Sequence, residues 1–373
     1  MNGGKCMGQI SKETNSWGNL KNGLESKLFE PIKIGAWNLR SRIAMAPLTR
    51  TFADDQTGVV GEDIVEYYRK RAADGVGLII SEATIISPRG KGYHGTPGIY
   101  SDEQIKGWKK VTDAVHKEGG TMIAQIWHVG RLSHHELVAG NLPPQAPSAI
   151  PAEGLVPRFR KPYDVPEEMT IEDINEVINQ FAQAAKNAIA AGFDGVEING
   201  AHGYLIDQFN SDITNHRTDE YGGDLAQRLT FMKEVIKAVI DAIGTERTMI
   251  RFSAHKTDIP NYMWEDPEMA IRTFVEAFKE AGATMVHPSI MQFDRVLANG
   301  KTMHQLVRKY WDGVIIGVGT LNPEMANQAI EEGIIDVAAF GRPLISNPDF
   351  IHRLKNGEEL EEYDSKKHLS TLI

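Results

Sequence analysis

Eight short apolar runs, separated by longer amphipathic stretches, constrain the fold of this chain more than any other feature of its 373 residues. Apolar strands that alternate with helical patterns are typical of a parallel sheet covered by helices on its faces. Eight such units favour an α/β fold of the TIM (β/α)8 barrel type over a dinucleotide-binding fold with a second domain. The predicted strands are Arg42–Ala46, Val76–Ser81, Thr121–Ile126, Gly195–Asn199, Thr248–Ser253, Thr284–His287, Gly313–Gly317 and Val337–Gly341.

Helical periodicity occupies the stretches between these runs. Because no shift in composition marks an internal boundary, we predict one domain over residues 27–373. Residues 1–26 are rich in Gly, Asn, Ser and Lys without a period, which is typical of a flexible extension. The predicted helices are Glu62–Ala73, Gln104–Glu118, Ile171–Ala191, Leu225–Ile243, Met269–Ala281 and Pro323–Glu332, with a short closing helix at Asp349–Leu354.

A proline-rich insertion follows the third predicted strand. Seven of the 17 prolines lie between Pro143 and Pro166, in a segment far longer than an ordinary loop between a strand and a helix. One interpretation is a surface excursion held by proline. The other is a cover for an active site, because the loop leaves the C-terminal end of a strand, where barrel enzymes carry their chemistry.

Composition excludes several classes of protein. A single cysteine, Cys6, rules out an internal disulfide and an iron-sulfur cluster held by cysteines. Fifty acidic against 40 basic residues give a net charge of −10, so we expect no nucleic-acid partner. No apolar run is long enough for a membrane span, and the N-terminus lacks the core of a signal peptide, so we expect a cytoplasmic protein. The run His134-His135-Glu136 lacks the i, i+4 spacing of a zinc helix, and we predict no metal site.

Polar residues at the C-terminal ends of the predicted strands should converge on one mouth of the barrel. Arg251 lies within an apolar strand and therefore needs an electron-rich partner. That partner is either a ligand or Glu197, which could pair with Arg251 inside the barrel. Gly319 and Arg342 follow neighbouring strands, where they either bind a phosphate or serve tight packing. The amide of Gln125, the hydroxyl of Thr49 and the cation of Arg251 together suit a flat heterocycle edged with carbonyls and ring nitrogens.

Six longer motifs identify a family. They resemble the old yellow enzyme family of FMN-dependent ene-reductases, and the resemblance runs from about Leu28 to Leu354. The motifs are Ala46-Pro47-Leu48-Thr49-Arg50, Gln125-Ile126-Trp127-His128-Val129-Gly130-Arg131, the run 191–198, the run Gly203-Tyr204-Leu205-Ile206-Asp207-Gln208-Phe209, the run 217–223 and Ala339-Phe340-Gly341-Arg342.

The resemblance implies a barrel that binds FMN without a covalent link and takes electrons from NADPH or NADH. It implies that Tyr204 is the proton donor, that Asn199 and His202 bind the substrate oxygen, and that Trp127 and Tyr93 form aromatic walls of the substrate site. Asn199 departs from the histidine usual at that position. The residues that would hold FMN are Pro47, Thr49, Ala83, Gln125, Arg251, Val318, Gly319, Gly341 and Arg342.

We therefore expect an NAD(P)H:flavin oxidoreductase that reduces electron-poor alkenes, above all α,β-unsaturated carbonyl compounds and also nitro compounds or quinones. The expected partners are small-molecule substrates, and the chain is expected to be a monomer or a homodimer. Two alternatives stay open from the residues alone. One is a flavin-binding barrel with little turnover, and the other is a flavin-free barrel enzyme acting on a phosphorylated metabolite.

Overall fold

A closed barrel of eight parallel strands forms the centre of the computed structural model, which describes residues 25–373, and this confirms the predicted TIM barrel. Each predicted strand coincides with an observed one. The barrel strands are β1 (Ile43–Met45), β2 (Leu78–Ile80), β3 (Thr121–Trp127), β4 (Gly195–Asn199), β5 (Thr248–Ser253), β6 (Met285–Ser289), β7 (Val314–Gly317) and β8 (Val337–Phe340). Neighbours in sequence are neighbours in the ring, which closes where β8 pairs with β1.

Eight main helices surround the barrel: α1 (Glu62–Asp74), α2 (Asp102–Lys117), α3 (Ile171–Ala190), α4 (Thr230–Ile243), α5 (Pro267–Glu280), α6 (Met303–Tyr310), α7 (Pro323–Glu331) and α8 (Phe350–Asn356). Side-chain caps fix several of their starts. At α2, Ser101 Oγ accepts from the backbone of Gln104, whose side chain accepts from the backbone of Ser101 in return. The single helix predicted over Leu225–Ile243 is wrong: a tight turn at Leu229, with ψ of −2°, separates a short helix from α4.

Smaller elements decorate this frame. No helix among residues 25–373 is long and apolar enough to cross a bilayer. The additional helices are Leu205–Asn210, Leu225–Arg228, Arg342–Ser346 and Ser365–His368, with 3-10 turns at Lys27–Phe29, Pro88–Gly90, His135–Leu137, Ala139–Asn141 and Thr245–Arg247. The additional strands are Ile32–Ile34 with Trp37–Leu39, Gln145–Ala146 with Glu167–Glu168, Val296–Ala298 with Lys301–Thr302, and Thr84–Ile85 beside β3.

The alternation of side chains along the strands creates two apolar layers. Ala44, Leu78 and Ile123 pack inside the barrel with Trp37 of the N-terminal hairpin, whereas Met45 and the other outward residues pack against the helices. The hairpin thus fills the end of the barrel at which the strands begin. The opposite end, where the strands finish, is left for polar groups.

Most of the predicted extension, residues 1–24, lies outside the described residues. Ser26, at its end, is buried and donates a hydrogen bond to Asn327 Oδ1 at 2.8 Å. Asn327 belongs to α7, so the described chain begins against the outer layer of helices.

Candidate active site

Four buried polar side chains form the floor of the site, toward the C-terminal ends of the strands. The parallel register pairs Gln125 on β3 with Glu197 on β4, and Arg251 on β5 with His287 on β6. Gln125 Nε2 donates to Glu197 Oε1 at 2.6 Å, and His287 Nδ1 lies 2.6 Å from Glu197 Oε2. Arg251 Nη1 lies 3.9 Å from Glu197 Oε1. The carboxylate therefore serves three partners, and the arginine has the longest contact with it.

Burial and charge set the protonation states of this floor. Burial alone would raise the pKa of Glu197, but His287, Arg251 and Gln125 together hold that pKa below its ordinary value. Burial and then the charge of Arg251 lower the pKa of His287. Near pH 7 the glutamate is therefore ionised, and the histidine is neutral and donates from Nδ1. Arg251 Nε is buried without a hydrogen-bond partner, which leaves this cation with capacity for a ligand.

His202 lies beside this floor rather than in the aromatic part of the site. Its Nε2 is 2.9 Å from Ser289 Oγ, and the same oxygen accepts from Arg251 Nη2 at 3.1 Å. Burial lowers the pKa of His202 well below its ordinary value, so the ring is neutral. The backbone of His202 has φ of 61°, a strained conformation for a residue with a side chain, and its N–H donates to Ser253 Oγ at 2.8 Å.

A cavity of about 400 Å³ opens above Arg251, a volume that suits a small organic ligand. Its walls come from the segments that follow β1, β5, β6, β7 and β8, from His202 after β4, and from Glu362 and Tyr363 near the C-terminus. Six of the predicted cofactor-binding residues line it: Pro47, Arg251, Val318, Gly319, Gly341 and Arg342.

One end of this cavity has the chemistry of an anion site. Arg342 forms no ion pair within the described chain, and its Cζ lies 5.8 Å from the centre of the Tyr363 ring. A Cβ built on Gly341 would lie 3.5 Å from Leu48, an ordinary van der Waals contact, so close packing does not require a glycine there. Gly317 differs, because a Cβ there would lie 2.7 Å from Ile335. Close packing explains Gly317, whereas Gly341 and Arg342 are available to a phosphate.

A separate cluster of aromatic side chains includes Tyr204, two residues after His202. Trp127 stacks on Tyr93 with ring centres 5.8 Å apart and meets the edge of Tyr204 at 4.8 Å. The hydroxyls of Tyr93 and Tyr204 are 3.4 Å apart. Burial, and then Tyr93, raise the pKa of Tyr204 well above its ordinary value, so this phenol stays protonated across the neutral range. It can therefore act as a proton donor.

The proline-rich insertion covers this aromatic cluster. Tyr163 packs against it, and burial raises the pKa of the Tyr163 phenol. Arg131 holds the insertion in place: its Nη1 donates to the carbonyls of Ile150 and Pro151, while its Nη2 lies 2.6 Å from Asp258 Oδ2 in the loop after β5. These contacts favour the interpretation of the insertion as a cover over its interpretation as a free surface excursion.

The remaining predicted site residues lie around the cavity rather than on its wall. Asn199 Nδ2 donates to Gln125 Oε1 at 3.2 Å, so Asn199 lies beside the four side chains of the floor. Ala83 is buried with the aromatic cluster. Thr49 is half-buried and directly follows Leu48, which lines the cavity.

Sequence reasoning missed His287, Ser289, Tyr163 and Tyr363 as parts of the site. A signal existed for the first two, since they alternate on β6 with the period that directs side chains to one face of a strand. No local signal marked Tyr163 or Tyr363, because each reaches the site through a loop.

Comparisons with known proteins agree over nearly the whole barrel. The sequence model of the NADH:flavin oxidoreductase / NADH oxidase family matches residues 27–361. The chain is 41% identical over 363 residues to the flavin oxidoreductase hxnT of Emericella nidulans, covering 90% of this chain and 92% of the relative. It is 37% identical over 364 residues to 12-oxophytodienoate reductase 7 of Oryza sativa subsp. japonica, covering 92% and 91%. It is 37% identical over 349 residues to 12-oxophytodienoate reductase 2 of Arabidopsis thaliana, covering 90% of each chain.

Proposed function

Because the chain belongs to the NADH:flavin oxidoreductase / NADH oxidase family, the old yellow enzyme family, and is an NAD(P)H:flavin oxidoreductase, we propose that it reduces the C=C bond of α,β-unsaturated carbonyl compounds. The observation that carries the proposal is Arg251, a buried cation with an unpartnered Nε at the base of a cavity of about 400 Å³. A phenol suited to proton donation, Tyr204, lies in the neighbouring aromatic cluster.

The residues around the cavity fit FMN. A fixed cation, Arg251, suits the electron-rich edge of a flavin ring, and the free guanidinium of Arg342 beside Gly341 suits its phosphate. Pro47, Val318 and Gly319 would complete the wall. We assign three further residues to the ring: Thr49, which follows the wall residue Leu48, Gln125 of the floor, and Ala83, which is buried with the aromatic cluster. The chemistry that FMN supplies when bound is hydride transfer, from NADPH or NADH and on to the alkene.

Arg251 has a defined electrostatic role in this proposal. Its charge is compensated by Glu197 only across 3.9 Å, so it favours negative charge on a ligand above it. His287, neutral and bonded to the same carboxylate, fixes Glu197 without adding a second positive charge. The floor therefore favours an electron-rich, reduced ligand over an oxidised one.

Asn199 and His202 are the proposed donors to the substrate's carbonyl oxygen. Negative charge builds on that oxygen as hydride arrives at the β carbon, and a positioned donor stabilises such charge by about 3 to 4 kcal/mol. His202 has to exchange its bond to Ser289 for this role. Asn199 keeps its bond to Gln125, which orients the amide group.

Tyr204 is the proposed source of the proton that reaches the α carbon. Its raised pKa keeps the proton on the phenol at neutral pH, and the Trp127 ring fixes its direction. Tyr93, 3.4 Å from the Tyr204 oxygen, supplies a hydrogen-bonding partner as the proton leaves. Tyr93 and Trp127 also give the substrate a flat apolar surface.

The relatives refine the substrate class. Two of them are named as 12-oxophytodienoate reductases, and the substrate in that name is a keto carboxylate with two double bonds. We therefore propose cyclic enones, including enones that carry a carboxylate, as the first substrates to test, followed by nitroalkenes and quinones.

One anaerobic experiment tests the proposal. The purified protein should show flavin absorbance, lose it on addition of NADPH or NADH, and regain it on addition of a cyclic enone. A protein that stays colourless after soaking with FMN would leave the flavin-free phosphate-binding alternative. A yellow protein that neither nucleotide bleaches would be a flavin-binding barrel with little turnover. Bleaching without reoxidation by enones, nitroalkenes or quinones would overturn the alkene reduction.

A further inference from the structure

A histidine and carboxylate cluster lies in the proline-rich insertion, outside the cavity and the aromatic cluster. His134 and His135 follow β3, and Asp164 lies near the other end of the same insertion. One ligand atom from each of the three side chains lies within 4.8 Å of the other two. His134 is buried, whereas His135 and Asp164 are partly exposed, so an ion has access from solvent.

Although the spacing of His134 and His135 in the sequence predicted no metal site, we propose that His134, His135 and Asp164 bind a divalent transition metal of the Zn²⁺ class. Two imidazoles and one carboxylate are ligands that Zn²⁺ prefers, with a water in the fourth position. Tetrahedral bonds of the usual length place neighbouring ligand atoms roughly 3.3 Å apart. His135 Nδ1 lies 2.9 Å from Asp164 Oδ2, and His134 Nε2 lies 3.8 Å from Asp164 Oδ1. The two contacts use different oxygens of Asp164, and the two imidazole rings are stacked with their centres 4.2 Å apart. Binding therefore requires the rings to turn out of this stacking, so that both nitrogens face one ion.

The carboxylate is already oriented by the backbone. The N–H of His135 donates to Asp164 Oδ2, as the outer partners of metal ligands commonly do. His134 has to adjust more, because its Nδ1 accepts the backbone N–H of Glu136 at 3.2 Å. Coordination through Nε2 moves the ring proton to Nδ1, so this long hydrogen bond must break.

Metal binding would join the two ends of the insertion. Asp164 directly follows Tyr163 in the chain, and Tyr163 packs on the aromatic cluster of Tyr93 and Tyr204. An ion held by His134, His135 and Asp164 therefore fixes the backbone next to Tyr163. The metal would act as a clamp on the cover of the active site, at a distance from the reacting groups.

Calorimetric titration of the flavin-loaded protein with ZnCl₂, after removal of metals by a chelator, tests the site. The wild type should bind one Zn²⁺ saturably, and Asp164→Asn and His135→Gln should each weaken that affinity at least tenfold. His116→Gln is the matched control: His116 Nε2 lies 2.9 Å from Asp194 Oδ2, but no third ligand among residues 25–373 joins this pair, so affinity should not change. Equal affinity in the wild type and both ligand variants, or no saturable binding to the wild type, overturns the proposal.

A second readout tests the clamp without measuring activity. Arg158 and Arg160 are exposed in the insertion, and trypsin cleaves after arginine. Zn²⁺ should slow cleavage at these sites several-fold in the wild type and in His116→Gln but not in Asp164→Asn. Unchanged cleavage in the zinc-loaded wild type overturns the clamp. Neither assay requires catalysis, so the metal site and the proposed function can fail independently. A protein that binds Zn²⁺ but fails the flavin-bleaching test would support the metal site and contradict the proposed function.

Discussion

Tyr204 is the residue whose substitution tests the proposed proton transfer most directly. Its ring packs edge-on against Trp127, and only its hydroxyl meets Tyr93. The ring and the hydroxyl therefore have separable roles, in packing and in proton transfer.

Tyr204→Phe should slow reoxidation of the reduced flavin by a cyclic enone by about 100-fold or more, because the general acid is lost. Reduction of the flavin by NADPH or NADH should stay within about twofold, since that half-reaction needs no proton from Tyr204. Stopped-flow absorbance measures the two half-reactions separately. Tyr93→Phe serves as the control, with a smaller effect on reoxidation, and an equal loss in both half-reactions of Tyr204→Phe would contradict the assignment.

Arg251→Met should weaken FMN binding at least tenfold and lower the flavin's reduction potential, because the cation that favours the reduced ligand is gone. Fluorescence titration of the apoprotein and a dye-coupled potential measurement check these two effects. If both stay at wild-type values and only the free energy of unfolding falls, Arg251 would serve the Glu197 ion pair alone.

At the residue scale, the sequence predicted those side chains that lie on strands with an unbroken apolar pattern. Gln125, Asn199 and Arg251 are of this kind, because neighbouring parallel strands bring their ends together. Ser289 escaped prediction since the expected strand stopped at His287. Pro288 interrupts the pattern there, yet the chain continues as a strand to Ser289.

Among the elements, the proline-rich insertion depends on one buried ion pair. The side chains of Arg131 and Asp258 are 5% and 2% exposed, so neither charge has water as an alternative partner. The same guanidinium binds the carbonyls of Ile150 and Pro151. Three segments of the chain thus meet at one arginine.

Asp258→Asn should lower the free energy of unfolding by about 3 kcal/mol, because it leaves the buried Arg131 cation uncompensated. Chemical denaturation measures this change. Arg131→Met combined with Asp258→Asn should cost less than the sum of the two single substitutions. The control is Glu276→Gln, which breaks the exposed ion pair with Arg272 and should lower the free energy of unfolding by less than about 1 kcal/mol. A similarly small loss in Asp258→Asn would contradict the stabilising role of the buried ion pair between Arg131 and Asp258.

Elements were predictable where one face is apolar and the other polar, as in α2 and α3. The sequence did not mark the helix Leu205–Asn210, because its six residues are too few for a helical period to be recognised. The short parallel strand pair and the 3-10 turns within the insertion are set by distant contacts such as that of Asp164 with His135. Local periodicity carries no information about contacts of this kind.

For the molecule as a whole, Glu82 links stability to pH. It is buried at the end of β2, and its Oε2 accepts the N–H groups of Arg50 and Thr51 at 2.9 and 3.0 Å. Burial raises the pKa of Glu82 to about 7. The folded state therefore holds this proton at pH values where the unfolded chain has released it. The stabilising contribution is complete below about pH 4.5 and is lost as the pH rises through 7.

Glu82→Gln should flatten the dependence of the free energy of unfolding on pH, because the titrating group is removed. The wild type should lose up to about 3 kcal/mol from this group between pH 5 and pH 8, which follows from a pKa shift of roughly two units or more. Denaturation curves at several pH values measure the slope. Asp74, whose pKa burial raises to about 6, keeps part of the dependence in the variant. An unchanged slope in Glu82→Gln would contradict the raised pKa of Glu82.

The closure of the ring by β8 on β1 places a condition on how the protein is made. Pairing of Phe340 with Met45 brings together the segments that hold Pro47 and Arg342, and both segments line the same cavity. A ribosome must therefore release nearly the whole chain before that cavity exists. Chains truncated by stalling would leave parallel strands without neighbours. Such chains would bind chaperones or be cleaved by proteases, and they would have no cavity for a ligand. Ligand loading is thus a step that follows translation, and it reports that the barrel is complete.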